Sequence, residues 1–178
     1  HDIENVAALQ NPRTRAAIER MAAALAESTR ILVVGSGLGA APAEVMAHLG
    51  TITGLDIQSA LGSATSQIAH VLRLGPADCL IAVNIWRTTR TLRQLVELAR
   101  EQGVTVCLLT DIEGSRLARH ADHVVVASTV SSGPAPSLVA LMSAAHGILL
   151  AMSSDDALAH AHRVEHAWDA AGLIDEAE

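Results

Sequence analysis

The chain contains no phenylalanine and no tyrosine, and only two tryptophans, Trp86 and Trp168. Half of its 178 residues are nevertheless apolar, so the core must be built from alanine, valine, leucine and isoleucine. This length suits one domain with a full core. No apolar run approaches the roughly 18 residues that span a bilayer, and no signal peptide is visible, so we expect no membrane partner.

An excess of positive charge is also missing. The net charge of −7 argues against broad nonspecific binding of nucleic acid, because phosphate backbones need a basic face. The two cysteines, Cys79 and Cys107, lie in apolar runs, which predicts buried, reduced thiols and a cytoplasmic protein. The chain begins with His1 instead of Met, so we expect it to be a piece of a longer protein.

Short apolar runs alternate with helical patterns along the chain. Helices are predicted over 11–28, 41–50, 63–72, 88–102, 115–121, 137–152 and 155–171, with Gly50 and Gly103 as C-terminal caps. Strands are predicted over 30–37 (with its exit turn), 51–56, 78–84, 104–111 and 122–128, and a flexible loop over 129–137. Nearly all-apolar strands predict a parallel sheet covered on both faces. The expected fold class is α/β, a five-stranded, flavodoxin-like doubly wound sheet.

Ligands of such sheets bind beyond the carboxyl ends of the strands, at the switch point. Polar or glycine residues collect at these predicted ends, namely Gly35–Gly37, Asp56, Asn84–Thr89, Thr110–Asp111 and the segment from Ser128 onward. The run GSGLG (35–39) can bring a backbone close to a ligand at a helix start. It is a poor dinucleotide fingerprint, because apart from Asp56 no acidic residue ends a second strand at a suitable distance. We therefore expect no cofactor.

Three blocks in order carry a family resemblance: RILVVGSG, then LGPADCLIAVN with RTTRTLRQLVELAREQGVTVCLLTD, then SRLARHADHVVVAS. Together they resemble a SIS (sugar isomerase) domain over about Arg30 to Met152, most specifically between Ala99 and Asp122. The resemblance implies binding of a phosphosugar or a related acidic sugar. Some SIS domains are isomerases or lyases, and many are the effector-sensing domains of RpiR-type bacterial transcription regulators.

The turn after the third strand departs from the usual SIS pattern, Ser-x-Ser-Gly-x-Thr. Its two serines fall at Asn84 and Trp86 and its glycine at Arg87, so only Thr89 is retained. The turn is more similar to an Arg-x-Ser/Thr-Arg run found in a subset of RpiR-type regulators, although Thr91 stands where an acidic residue is usual. Arginines suit phosphate or carboxylate, and Thr88 or Thr89 can cap the helix that follows. A solvated first turn is the alternative, but arginines there oppose the helix dipole.

The resemblance adds further candidate contacts. The predicted ligand-binding residues are Gly35, Ser36, Gly37, Asn84, Trp86, Arg87, Thr88, Thr89, Arg90, Ser132 and Ser137. Capping of a helix is nevertheless the favoured role for both Ser137 and Ser115. Asp111 is expected to orient loops. No catalytic residue is assigned, because neither Glu44 nor Glu113 lies in a motif for the base that an isomerase needs.

A metal site is not expected either. His160, His162 and His166 lie in one predicted helix, but no cysteine or glutamate completes a convincing ligand set, so an exposed polar face is favoured. His146 lies in an apolar helix, where it could reach the site of a dimer partner or be a buried, hydrogen-bonded histidine.

The sequence therefore predicts a SIS domain over 30–178 that senses an effector for an RpiR-type regulator. Residues 1–29 are expected to form a linker and dimerisation helix, and a helix-turn-helix domain, the only DNA-binding part, is expected to be absent from this chain. We expect a homodimer, with a tetramer made of two dimers as the alternative. The first helix and the helix over 137–152 are the expected dimer surfaces. A sugar-phosphate isomerase or lyase is the alternative, and a degenerate scaffold with Trp86 filling the pocket is a third.

Overall fold

A computed structural model describes residues 1–174 of the chain as an α/β sandwich. Its α-helices are α1 (Asp2–Ala8), α2 (Pro12–Ala26), α3 (Ala40–Ile52), α4 (Ala64–Val71), α5 (Arg90–Glu101), α6 (Val139–Ala151) and α7 (Asp155–Ala170). Its strands are β1 (Ile31–Gly35), β2 (Ile57–Ala60), β3 (Cys79–Asn84), β4 (Thr105–Thr110) and β5 (His123–Val126). Two 3₁₀ helices span Gly37–Gly39 and Arg116–His120.

All five strands are parallel and lie in the order β2-β1-β3-β4-β5, which confirms the predicted fold. The chain leaves β1 in one direction across the sheet and returns through β3 in the other. The switch point therefore lies between β1 and β3, where a doubly wound sheet opens a crevice for ligands. The turns that follow these two strands border this crevice.

Alternate residues of each strand feed two separate cores. One core joins Ile31, Val33, Ile81 and Leu109 to α2, α3 and α6. The other joins the intervening strand residues, such as Leu80 and Leu108, to α4 and α5. Because β1, β3 and β4 are buried on both faces, they carry the near-continuous apolar runs that made them predictable.

The second strand was wrongly predicted over 51–56. The structure continues α3 through Ile52 and begins β2 at Ile57, with Gly54 in a left-handed conformation (φ +90°) between them. Gly50 is also not a C-terminal cap. It lies inside α3 against Ile57, and a Cβ atom at Gly50 would come within 2.6 Å of Ile57 Cγ2.

The N-terminal helices pack onto the sheet domain. Met21, Ala22 and Leu25 of α2 are buried in the first core. The helix α1, which the pattern did not predict, is held by Asn5: its Nδ2 donates to Val130 O at 2.7 Å, and its Oδ1 accepts from Ser128 Oγ at 2.7 Å. The segment 1–29 thus packs as part of the folded unit. Its role as a linker and dimerisation helix stays a prediction.

Both cysteine thiols are free and buried, as predicted. A hydrogen bond with Cys79 and burial raise the pKa of the Cys107 thiol well above its ordinary value. Across residues 1–174, no helix is long and apolar enough to cross a membrane.

Candidate functional site

The turn after β3 is held by Asp111 at the end of β4. The backbone N–H of Trp86 donates to both carboxylate oxygens of Asp111 at 3.0 Å, and Thr129 Oγ1 donates to Oδ2 at 2.7 Å. Trp86 has a left-handed backbone (φ +64°), an unusual state for a bulky residue. Asp111 therefore orients this turn and the loop after β5, as the sequence predicted.

Thr89 joins this turn to the turn after β1. Its hydroxyl accepts from Leu92 N at 3.2 Å, which makes Thr89 the N-cap of α5. The same hydroxyl lies 3.0 Å from Ser36 Oγ, although the two residues are 53 positions apart. Thr89 is thus the predicted cap, and it also brings Ser36 to the switch point between β1 and β3.

The glycines of the β1 turn allow its backbone to lie close to β3. A Cβ atom on Gly39 would come within 2.5 Å of Val83 O, and one on Gly35 would meet the carbonyl carbon of Gly39 at 2.6 Å. Gly37 has a left-handed backbone (φ +56°) with open space around it. Gly35 and Gly39 are therefore required for packing, whereas Gly37 has open space where a side chain would lie.

A strand-end cavity of about 280 Å³ opens at this point. It is lined by Gly35, Ser36, Gly37, Ala40, Leu61, Gly62, Ala64, Gln67, Thr89 and Thr91. The structure thus brings four predicted site residues together here. It adds the start of α4, which the sequence analysis missed because β2 was misplaced. Gln67 is fixed there by its Nε2, which donates to Ala60 O at 2.9 Å.

A second cavity, the arginine cleft, lies on the other side of the α5 N-terminus and measures about 480 Å³. It is lined by Thr88, Thr89, Arg90, Arg93, Ile112, Gly114, Ser115, Arg116, Leu117 and Arg119. Arg90 and Thr88, predicted to bind the same ligand as Ser36, therefore line a different cavity from Ser36. Thr89 is the residue that both cavities share.

The other predicted contacts lie elsewhere. Asn84 is only 1% exposed, and its Nδ2 lies 3.4 Å from Thr110 Oγ1. Trp86 is 61% exposed and lines neither cavity, so it does not fill the strand-end cavity. Arg87 and Ser132 are exposed and line neither cavity. Ligand contact by these residues stays a prediction.

Ser137 is not the N-cap residue of α6, which begins at Val139 with Leu138 as its N-cap. Its hydroxyl nevertheless accepts from Val139 N, the first N–H of the helix, at 3.3 Å. Ser115 is the N-cap of the second 3₁₀ helix and accepts from Leu117 N at 3.3 Å, as predicted. Ser115 therefore has the structural role that the sequence favoured.

Groups suited to acid–base chemistry lie outside the strand-end cavity. Glu44 accepts a hydrogen bond from Ser59 Oγ at 2.5 Å and is exposed. His160 packs against Gly54 and lies 3.0 Å from Arg163 Nη2. Between residues 1 and 174, no three histidine, cysteine or carboxylate side chains cluster in a way that could hold a metal ion.

Several solved structures share this fold. The sugar isomerase domain of an RpiR transcription factor from Sphaerobacter thermophilus is 30% identical, with a TM-score of 0.84 over 93% of this chain and 94% of that one. The NanR protein of Vibrio vulnificus, complexed with ManNAc-6P, has the same TM-score at 16% identity, over 98% of this chain and 67% of that one.

A more distant structural neighbour is the MJ1247 protein of Methanococcus jannaschii, for which a function as 3-hexulose-6-phosphate isomerase was inferred. It is 12% identical, with a TM-score of 0.64 over 92% of this chain and 87% of that one. At this identity the likeness shows the fold alone. A search of curated proteins found no match.

The family itself follows from two of these findings together. The SIS domain model matches residues 24–161, more than three quarters of the chain, and includes β1 to β5 and both cavities. The relative that is 30% identical is also a sugar isomerase domain and is matched over nearly its whole length. This chain belongs to the SIS domain family.

Proposed function

We propose that this SIS domain is the effector-sensing part of an RpiR-type transcription regulator and that it binds a phosphosugar or acidic sugar in the strand-end cavity. One observation carries the proposal: Ser36 and Thr89 bring their hydroxyls to 3.0 Å across the switch point. The cavity beside them is lined by backbone, hydroxyl and amide groups that suit a sugar.

The start of α5 supplies the attraction for the acidic group. The first N–H groups of a helix have no intrahelical partner, and the helix dipole favours negative charge at this end. Thr89 and Thr91, at the start of this helix, both line the cavity. The effector's phosphate or carboxylate is therefore expected beside Thr89, with the sugar hydroxyls towards Ser36 and Gln67.

Sensing suits this cavity better than isomerisation does. An isomerase needs a base near the carbon that loses a proton. Among the described residues that line the strand-end cavity there is no carboxylate and no imidazole. Turnover of fructose 6-phosphate or another ketose phosphate by this chain would contradict the sensing role and favour the isomerase alternative.

A homodimer is part of the same proposal. The groove between α3 and α6 is apolar and includes Val45 and Leu150, whose side chains are well exposed. Burying such a face against a second copy removes apolar surface from water. We expect light scattering to find a dimer, and Leu150→Glu to dissociate it, whereas Leu158→Glu on α7 leaves it intact.

DNA binding belongs to a region outside this chain in the proposal. The net charge of −7 fits a domain that responds to a metabolite and leaves DNA contacts to another part of a cytoplasmic regulator. Effector binding would act by shifting the dimer between two states that differ in affinity for DNA.

Calorimetric titration tests the effector site. The panel comprises N-acetylmannosamine 6-phosphate, other hexose phosphates, sugar acids and their unphosphorylated parents. Ser36→Ala should raise the Kd of the ligand that binds by about 2- to 12-fold, the range expected for one neutral hydrogen bond. Neither Arg87 nor Arg90 lines the strand-end cavity, so Arg87→Ala with Arg90→Ala should weaken phosphorylated sugars only slightly more than their parents, through the loss of positive charge near the helix start. Ser132→Ala tests whether the 129–137 loop contacts the ligand. A raised Kd in this variant would indicate such a contact, and an unchanged Kd would indicate contacts in the cavity alone.

The absence of binding across the whole panel would overturn the proposed function. Undiminished binding by Ser36→Ala and by Thr89→Val would overturn the assignment to the strand-end cavity. Thr89→Ser is the matched control for Thr89→Val, because serine keeps both the hydroxyl and the cap of α5.

A further inference from the structure

Four arginines from two separate helices line the arginine cleft. Arg90 and Arg93 lie in the first turn of α5, and Arg116 and Arg119 lie in the second 3₁₀ helix. Residues three apart are neighbours on an α-helix and eclipse one another on a 3₁₀ helix. Each pair therefore presents two guanidinium groups along one wall of the same cleft.

These charges have no carboxylate partner within the described part of the chain. The ion pairs there involve other arginines and histidines, and Glu97 Oε1 lies 3.9 Å from His120 Nε2 without reaching the four guanidinium groups. Arg119 Nε donates to His120 Nε2 at 3.0 Å. Four positive charges thus collect in one cleft of a chain whose net charge is −7.

Such clustering is unfavourable for the unliganded fold. Like charges on neighbouring helix positions repel, and Arg90 and Arg93 also face the positive end of the α5 dipole. A bound anion would reverse the sign of both effects, because it would be attracted by the arginines and by the helix start.

The chemistry of the walls indicates the ligand. Guanidinium groups donate paired hydrogen bonds that match phosphate, and the Thr88 hydroxyl adds a further donor at the same wall. The volume of about 480 Å³ is that of a small-molecule site. The residues that line the cleft include no aromatic side chain on which a nucleobase could stack. The chain as a whole carries a net charge of −7, whereas a nucleic acid needs an extended basic face.

We propose that the arginine cleft is a second anion site, which binds a small molecule carrying a diphosphate or two closely spaced phosphate groups. The arginine cleft shares only Thr89 with the strand-end cavity. This second proposal therefore does not require that an effector binds in the strand-end cavity. The occupant of the arginine cleft is recognised through phosphate, and any organic part extends into solvent.

Titration calorimetry of the 178-residue chain with inorganic pyrophosphate tests this site. We expect one pyrophosphate per chain in the cleft and affinity that falls as salt is raised from about 50 to 300 mM, because exposed charges are screened. Arg116→Ala with Arg119→Ala should raise the Kd at least about tenfold. Arg15→Ala with Arg20→Ala, two exposed arginines of α2, removes the same charge elsewhere and should leave the Kd within about twofold.

Several outcomes would overturn the proposal. The first is no detectable heat with pyrophosphate, and the second is equal weakening by both double variants. The third is a DNA duplex that binds more tightly than pyrophosphate and loses that binding in Arg116→Ala with Arg119→Ala.

Fructose 1,6-bisphosphate and ADP are two further ligands for the titration. If the affinities of both depend on Arg116 and Arg119 to the same degree, recognition through phosphate alone is supported. Melting curves check folding, and Arg93→Ala gives an independent reading from the opposite wall. Ser36→Ala should not change pyrophosphate binding, which separates this site from the effector site.

Discussion

The strand-end cavity and the arginine cleft share the start of α5, yet their walls differ in chemistry. Thr89 and Thr91 face the first with hydroxyls, whereas Arg90 and Arg93 line the second with charge. Successive helix residues are rotated by about 100°, so neighbours in the sequence such as Arg90 and Thr91 are directed to different sides of the helix. A cationic turn at a ligand-binding strand end therefore need not make the ligand cavity itself cationic.

Of the variants considered, Gly35→Ala should differ most in its effects on ligand binding in the two cavities. The new Cβ would overlap the backbone of Gly39, so the β1 turn must change its conformation. We expect a loss of about 2–3 kcal/mol in the free energy of unfolding, as in other overpacked sites. Effector binding should be abolished, while pyrophosphate binding in the cleft stays within about twofold. Urea denaturation and calorimetry measure both effects.

Gly37→Ala is the matched control in the same turn. No atom lies within 4 Å of a Cβ placed there, so the only cost is the left-handed backbone, about 1 kcal/mol. If Gly35→Ala were no more harmful than Gly37→Ala, the close approach of Gly39 to Gly35 within this turn would be wrong.

Asp111→Ala should weaken the other turn, the one that follows β3. It removes the carboxylate that accepts from Trp86 N and from Thr129 Oγ1. Hydrogen bonds to charged groups contribute about 1.5–3 kcal/mol each, and because water replaces part of this, we expect a net loss of about 2 kcal/mol. Urea denaturation measures it. Thr129→Val removes one of the two contacts and should cost less, and an equal cost would mean that the Trp86 contact contributes nothing.

Most of the fold was predictable because β1, β3 and β4 are buried on both faces, which leaves little besides apolar residues in them. The edge strand β2 was not. It is short and carries half-buried Gln58 and Ser59, whereas the β-branched residues before it belong to α3. Local pattern could not show that tertiary packing extends that helix to Ile52.

The candidate site was predictable in part for the same reason. Gly35, Ser36, Gly37 and Thr89 could be assigned to the switch point because both strands before them were correctly placed. Gln67 was missed because its position depends on β2. Arg90 was grouped with Ser36, although it lines the arginine cleft, because sequence proximity does not give the direction of a helical side chain.

Trp86→Gly tests whether the exposed tryptophan takes part in either cavity. Glycine adopts a left-handed backbone without steric cost, so the free energy of unfolding should stay the same or rise by up to about 1 kcal/mol. Effector and pyrophosphate affinities should change by less than about twofold, since Trp86 lines neither cavity. Trp86→Ala removes the same ring but keeps the strained backbone. Tighter effector binding in both variants would instead favour a tryptophan that blocks the cavity.

Asn84→Leu should have the smallest effect, although Asn84 holds the place of a phosphate-binding serine in the SIS pattern. Asn84 is buried, and its Oδ1 has no hydrogen-bond partner among the described residues. An unpaired buried oxygen is costly, so an apolar side chain of similar size should leave the free energy of unfolding unchanged or raise it by up to about 1 kcal/mol. Thr110→Val, which removes the partner of the Asn84 amide, is the companion variant. Because no part of Asn84 reaches the strand-end cavity, effector affinity should be unchanged in both. A tenfold loss of affinity with unchanged stability in Asn84→Leu alone would show instead that the turn after β3 rearranges to bring Asn84 to the ligand.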